Sequence, residues 1–311
     1  MKKVLKVNIF FLILILLQIK GGYLLIPIRN LIKNNTGLLL LTTQIAFLII
    51  PIVIYMLITK QSIRRTFRFN KINFTSVVLL VVMGLFFIPL AGFLSYLTSF
   101  FYYNNVQDVF NKLQSLPIVV MVAIVALTPA CCEELTMRGV VLSGYDDVKL
   151  WKAALINGFL FAVLHLNPPQ FLYAFALGII LACVVRITNS IFASMIIHFT
   201  FNGVNTLMSW AILKGASSAT IKKSQQSMNN TSMKLVGLAS LFIVALIAVA
   251  VIIGLMKELI KESKRGAYNN IPVSSSGSHE VMTFTNKAVA AIPIVISVVI
   301  YVLVVTSRGV S

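Results

Sequence analysis

The chain has 311 residues, of which 59% are hydrophobic and only 11% charged, proportions that exclude a soluble core wrapped in a charged shell. With a mean hydropathy of +0.95, this is an integral membrane protein, and its 26 Lys and Arg against eight Asp and Glu give a net charge of +18. That excess reads as basic loops against anionic headgroups rather than as a surface for nucleic acid. The cysteines Cys131, Cys132 and Cys183 stand in apolar surroundings without a C-x-x-C pair, so they give no disulfide framework and no zinc cluster.

A bilayer core about 30 Å thick takes roughly 20 apolar residues per helix, and stretches free of Asp, Glu, Lys and Arg predict the spans in order. Residues 7–19 follow Met1-Lys2-Lys3 as a signal peptide would, yet no small-residue cleavage site comes after them; they read as a retained first span extended toward Ile28. Stretches 38–59, 72–107 and 113–132 come next. Stretch 153–185 is interrupted by Asn167-Pro168-Pro169-Gln170, which predicts a tight turn between two helices. Stretches 187–213, 235–256 and 288–307 complete an all-α polytopic transmembrane helix bundle of about eight to nine spans. Placing the amino terminus in the cytoplasm puts sixteen Lys and Arg inside, Arg64, Arg65, Arg68, Lys149 and Arg186 among them, and nine outside. Basic loops are retained on the cytoplasmic side, so a multi-pass protein of the cell membrane with its amino terminus in the cytoplasm is expected. Arg138 alone falls within a span. The Ser- and Asn-rich stretch 266–286 reads as a flexible cytoplasmic loop.

A charged side chain at mid-bilayer costs about 2.5 to 3.5 kcal/mol. The fourth span carries Glu133, Glu134 and Arg138. If its helix runs from about 117 to 143, Glu133 lies about 15 Å from the cytoplasmic end, near the midplane. Glu134 and Arg138, four apart, can pair on one face, whereas Glu133 points about 100° away. One carboxylate is then structural and the other free to react. If instead the helix ended at Cys132, both glutamates would sit among headgroups. On the fifth span Phe161 and His165 share a face, and on the seventh His198 and Asn202 do. One buried His is ordinarily a packing residue; two, with an Asn, at the depth of a Glu pair mark a functional cavity. His279-Glu280 has Thr at 283 where a zincin motif needs His, so it reads as a solvated loop.

The three Asp lie in or near loops, which excludes an intramembrane aspartyl dyad. Ser194 stands four residues before His198 but lacks a glycine-rich elbow, a weak basis for a serine nucleophile. Zinc held by Glu133, His165 and His198 satisfies the count of three protein ligands and a water, and this alternative stays open. The direct alternative is a Glu that activates water as general base, with His198 and Asn202 donating to the oxyanion.

The run Glu133-Glu134-x-x-x-Arg138, then Phe161-x-x-x-His165, then His198-x-x-x-Asn202, in that order on successive membrane segments, resembles the CPBP family. These are the type II CAAX prenyl endopeptidases and their bacterial relatives linked to bacteriocin processing and immunity, also called the ABI family. The resemblance covers about 116–210, and Arg186-Ile187-Thr188-Asn189-Ser190 is similar to the family's lead-in to its last motif. It implies a protease core at 116–212, between amino-terminal helices at 1–115 and carboxy-terminal helices at 213–311. It further implies an intramembrane endopeptidase hydrolysing a membrane-associated protein or peptide, its cavity opening to the cytoplasm or the bilayer. In that reading Glu133 with His165 activates water, Glu134 and Arg138 hold the site together, Phe161 supports it, and His198 and Asn202 form the oxyanion pocket. The family carries the label metalloprotease, so the resemblance leaves zinc open as a cofactor and makes none certain. Thr136-Met137 stand where members commonly have an aromatic, a departure that bears on packing or substrate shape. Loops rich in Lys and Asn look bacterial, favouring control or cleavage of a membrane peptide over CAAX maturation. A non-catalytic immunity or scaffold protein is the second reading. A proton-relay transporter is the third, disfavoured because the sequence shows no internal repeat.

Overall fold

The computed structural model describes residues 2–32, 35–103, 106–215, 231–265 and 284–309, and all regular structure among them is helical. Helix α1 (Lys2–Lys20) tightens into a 3₁₀ stretch at Gly21–Ile28, which contains Pro27. Asn35 opens α2 (Thr36–Thr59) by accepting the Leu38 N–H, and Lys60 closes it in the left-handed conformation. The short α3 (Ile63–Phe67) starts on Ser62, and α4 (Phe74–Thr98) starts on Asn73, whose side chain accepts the Ser76 N–H at 2.7 Å. Such caps satisfy N–H groups that no earlier turn can reach. After α5 (Val106–Leu113) come α6 (Ile118–Val141), α7 (Leu150–Leu164), α8 (Pro168–Thr188) and α9 (Ile191–Gly215). Two further helices, α10 (Thr231–Arg265) and α11 (Phe284–Gly309), complete the described bundle.

Eight of these helices are long and apolar enough to cross a membrane. The fifth expected span is the exception: α7 has 15 residues, about 22 Å of helix. The turn after it also falls earlier than the sequence suggests. His165, Leu166 and Asn167 reverse the chain, and Pro168 already opens α8, because proline's fixed φ and missing N–H suit a first helical position. Leu166 takes a φ of 48° in that turn. Stretch 72–107 divides likewise, α4 ending at Thr98. Most of the expected loop 266–286, with His279 and Glu280, lies outside the described residues.

Lipid offers no hydrophobic drive for helices to associate, so close approach depends on small residues. Gly158 of α7 meets Gly178 of α8 so tightly that a Cβ on Gly178 would lie 2.6 Å from the Gly158 Cα. A Cβ on Gly84 of α4 would lie 3.0 Å from the Ile197 carbonyl oxygen of α9. The buried apolar cluster is continuous from Val7 through Phe87, Met137 and Ile197 to Leu259, so helices outside 116–212 share one core with it.

The two ends of the bundle differ. At one end Arg68 pairs with Asp146, and Arg186 donates to the carbonyls of Tyr145 at 3.1 Å and Asp146 at 3.0 Å. Burial pushes the Asp146 carboxyl up and the Arg68 guanidinium down from their usual ranges, while their mutual attraction works against both shifts. This is the basic end. At the far end the Thr98 hydroxyl donates to the Pro169 carbonyl at 2.9 Å, joining the end of α4 to the start of α8.

Candidate active site

Helix α6 runs on past Cys132 through both glutamates, so the alternative of a helix ending among headgroups is overturned. Its α-helical segment Thr128–Glu134 lies between two π-helical stretches, Ala123–Leu127 and Leu135–Val141. Wide turns of this kind recur at functional sites, and they leave carbonyls for other groups to satisfy. The Asn157 amide donates to the Met137 carbonyl at 2.8 Å, and Arg68 donates to the Arg138 carbonyl at 3.3 Å. Pro129 has no N–H to give the Val125 carbonyl four residues earlier; the Asn202 amide of α9 supplies a donor there at 3.3 Å.

Arg138 is completely buried. Its Nη1 donates to Glu134 Oε1 at 2.9 Å, its Nη2 donates to the Gly178 carbonyl at 3.2 Å, and its guanidinium carbon stands 4.3 Å from the centroid of Phe161. The glycine-on-glycine contact of α7 and α8 is what brings the Gly178 carbonyl and the Phe161 ring to the same cation. Glu134 Oε1 accepts a second bond at 2.7 Å from His198 Nδ1. Glu134 is therefore committed to structure, and it turns the His198 Nε2 away from itself.

Glu133 makes no such pair. Its Oε1 accepts from Gln44 Nε2 of α2 at 3.2 Å, while Oε2 is buried with no hydrogen-bond partner. His165 caps α7 and places Nδ1 2.8 Å from the Phe161 carbonyl. A carbonyl can only accept, so this nitrogen carries the proton and Nε2 keeps its lone pair. Both His rings meet Phe161 edge-on, at centroid distances of 4.8 Å for His165 and 5.9 Å for His198.

Glu133, His165, His198 and Asn202 all line one cavity of about 650 Å³. Its wall extends toward the far end along Ser95, Gln107, Met208 and Ser209. Met137, Arg138 and Val140, further toward the basic end of α6, have no exposed surface and take no part in the lining. Ser194 is buried outside this lining, and its hydroxyl donates to the Ile191 carbonyl at 3.0 Å, a packing arrangement rather than that of a nucleophile. Among the described residues no three His, Cys, Asp or Glu gather closely enough to hold a metal ion in this arrangement. Glu133, His165 and His198 share the cavity without forming a ligand set.

Gln44 is the residue that sequence reasoning missed. It lies outside the motif region, and its signal was modest: it is the only carboxamide in the apolar stretch 38–59. Arg68 and Asn157, which satisfy the wide turn after Glu134, carried no signal of their role.

The helices and their apolar surfaces define a multi-pass membrane protein. Residues 115–204, which hold every motif residue of the site, match the family model described as type II CAAX prenyl endopeptidase Rce1-like. No curated protein and no solved structure matches the chain.

Proposed function

We propose that this protein is an intramembrane endopeptidase that hydrolyses a peptide bond of a membrane-associated protein or peptide through water activated by Glu133 and His165. The observation that carries this reading is the single cavity shared by Glu133, His165, His198 and Asn202. The unpartnered Glu133 Oε2 is the acceptor to which a nucleophilic water donates. His165, its tautomer set by the Phe161 carbonyl, offers Nε2 as a second proton acceptor on the same cavity. As the water oxygen attacks the carbonyl carbon, its proton passes to this acidic and imidazole pair, and then to the leaving amine. His198 and Asn202, on the same cavity, are the proposed donors to the oxyanion. An Nε2–H on His198 requires the doubly protonated ring, for which Glu134 is the counter-ion; Asn202 keeps one amide hydrogen after serving Val125. Donors of this kind contribute about 2.7 to 4 kcal/mol each to a transition state.

In this reading 116–212 carries the chemistry, and α2 completes it with Gln44. No step runs through a metal. The test is hydrolysis of a reporter peptide by purified protein in detergent. Glu133→Gln should lower the rate by at least a thousandfold while unfolding at the wild-type temperature, since the new carbonyl still accepts from Gln44. His165→Ala and His198→Ala should lose at least a hundredfold. If folded variants keep the full biological effect in cells, the scaffold or bacteriocin-immunity reading replaces this one.

A further inference from the structure

The cavity wall contains one phenol, that of Tyr173 on α8, and the chemistry proposed above leaves it unused. Gln170, Tyr173, Ala174 and Leu177 recur at the spacing of one helical face, so α8 turns a single stripe toward the cavity. The depth of Tyr173 on that stripe follows from the contact between Arg138 and Gly178. Helices α6 and α8 are separated by two chain reversals and run the same way, and Arg138 Nη2 reaches the Gly178 carbonyl at 3.2 Å. Glu133 lies five residues before Arg138, and Tyr173 five residues before Gly178. Carboxylate and phenol therefore stand at similar depth on two walls of the same cavity. Glu133 is close enough to act electrostatically on the phenol, and the Tyr173 ring packs against Phe201 of α9, the helix of His198 and Asn202, with centroids 6.3 Å apart.

Tyrosine hydroxyls inside a protein ordinarily find a partner. Tyr55 accepts from the Gln61 amide at 3.0 Å, and Tyr145 donates to Asn8. Tyr173 is half-buried, yet its hydroxyl has no hydrogen-bond partner among the described residues. Other donors of the wall are spent on the protein itself: His165 on the Phe161 carbonyl, His198 on Glu134, Asn205 on the Phe201 carbonyl, and one hydrogen of Asn202 on the Val125 carbonyl. A singly protonated His198 with its hydrogen on Nδ1 keeps a lone pair on Nε2 and has no donor left for an anion. Tyr173 donates in its neutral form.

We propose that Tyr173 is a further catalytic residue, its hydroxyl donating a hydrogen bond to the oxyanion formed from the scissile carbonyl, beside the free amide hydrogen of Asn202. No proton is transferred in this contact: the phenol keeps its hydrogen and stabilises the charged oxygen, while Glu133 and His165 handle the proton of the water. With Tyr173 the pocket has two donors whichever protonation state His198 holds. The proposal rests on the hydrolase reading above.

The test uses the purified full-length protein in detergent and an internally quenched peptide of uncharged residues. Once the cleavage position is mapped, the same peptide is made with a thioamide at the scissile bond. Tyr173→Phe keeps the ring that packs on Phe201 and removes only the hydroxyl, so it should unfold at the wild-type temperature. It should lower kcat by about a hundredfold, with KM within about threefold of wild type. Sulfur accepts hydrogen bonds weakly, so exchanging the scissile oxygen for sulfur should slow the wild type by about tenfold more than it slows Tyr173→Phe, a difference that a packing role does not produce. Full kcat in Tyr173→Phe, or the same thioamide effect in both proteins, overturns the role of Tyr173, and an inactive Glu133→Gln beside it leaves the hydrolase reading standing. Glu133→Gln as active as wild type, or no cleavage by either, rejects the hydrolase reading and this proposal with it.

Discussion

Arg138 and Glu134 of α6 meet at 2.9 Å with neither side chain exposed, whereas Lys261 and Glu258 of α10 meet at 2.8 Å with 62% and 44% of their side chains in the open. Length does not distinguish these pairs; surroundings do. An exposed pair contributes little because water competes for both partners and two long side chains must be held still. In a buried pair each charge depends on the other, and removing one leaves the second stranded. Here the dependence reaches further, since Arg138 also holds the Gly178 carbonyl and the Phe161 face, and Glu134 also holds His198.

The contrast can be broken most forcefully at Arg138. Arg138→Leu should destabilise the protein by about 3 to 5 kcal/mol, read as a fall in unfolding temperature in detergent. The double variant with Glu134→Leu should recover much of that loss, because no orphaned charge remains. Gln44→Leu comes next. It removes a hydrogen bond to a carboxylate, an interaction of about 1.5 to 3 kcal/mol, and should slow reporter hydrolysis by about ten- to a hundredfold with the amount of folded protein unchanged. Gly178→Ala should cost about 1 to 3 kcal/mol through overpacking against the Gly158 backbone. Lys261→Ala sharpens the comparison from the other side: its unfolding temperature should match wild type, within about 0.5 kcal/mol.

What the sequence made legible follows from helical periodicity. Spacing of four residues is enough to foresee that Glu134 pairs with Arg138, that Glu133 points elsewhere, and that Phe161 and His165 touch. Spacing within one segment says nothing about what a neighbouring helix brings. Gln44 reaches Glu133 across 89 positions of chain, and Arg68 reaches the Arg138 carbonyl across 70. The Asn202 bond to Val125 is legible only once Pro129 is seen to withhold a donor and α9 is known to lie beside α6. Charge counting separates a basic end from a less basic one, but it says nothing of where along the bundle side chains leave a cavity unfilled. The early turn at His165 was hidden because proline serves both turns and first helical positions, and the sequence alone does not choose between them.

The two wide turns of α6 make the aim of the reactive carboxylate a matter of chain length. Each accommodates one residue more than ordinary α-helical winding, so removing a single residue from Ala123–Leu127 would close the wide turn while the flanking halves kept their faces, whereas the same deletion inside Thr128–Glu134 would rotate one half against the other by about 100°. Alanine scanning keeps length constant and is blind to this control, whereas a one-residue deletion scan through the two stretches would expose it directly.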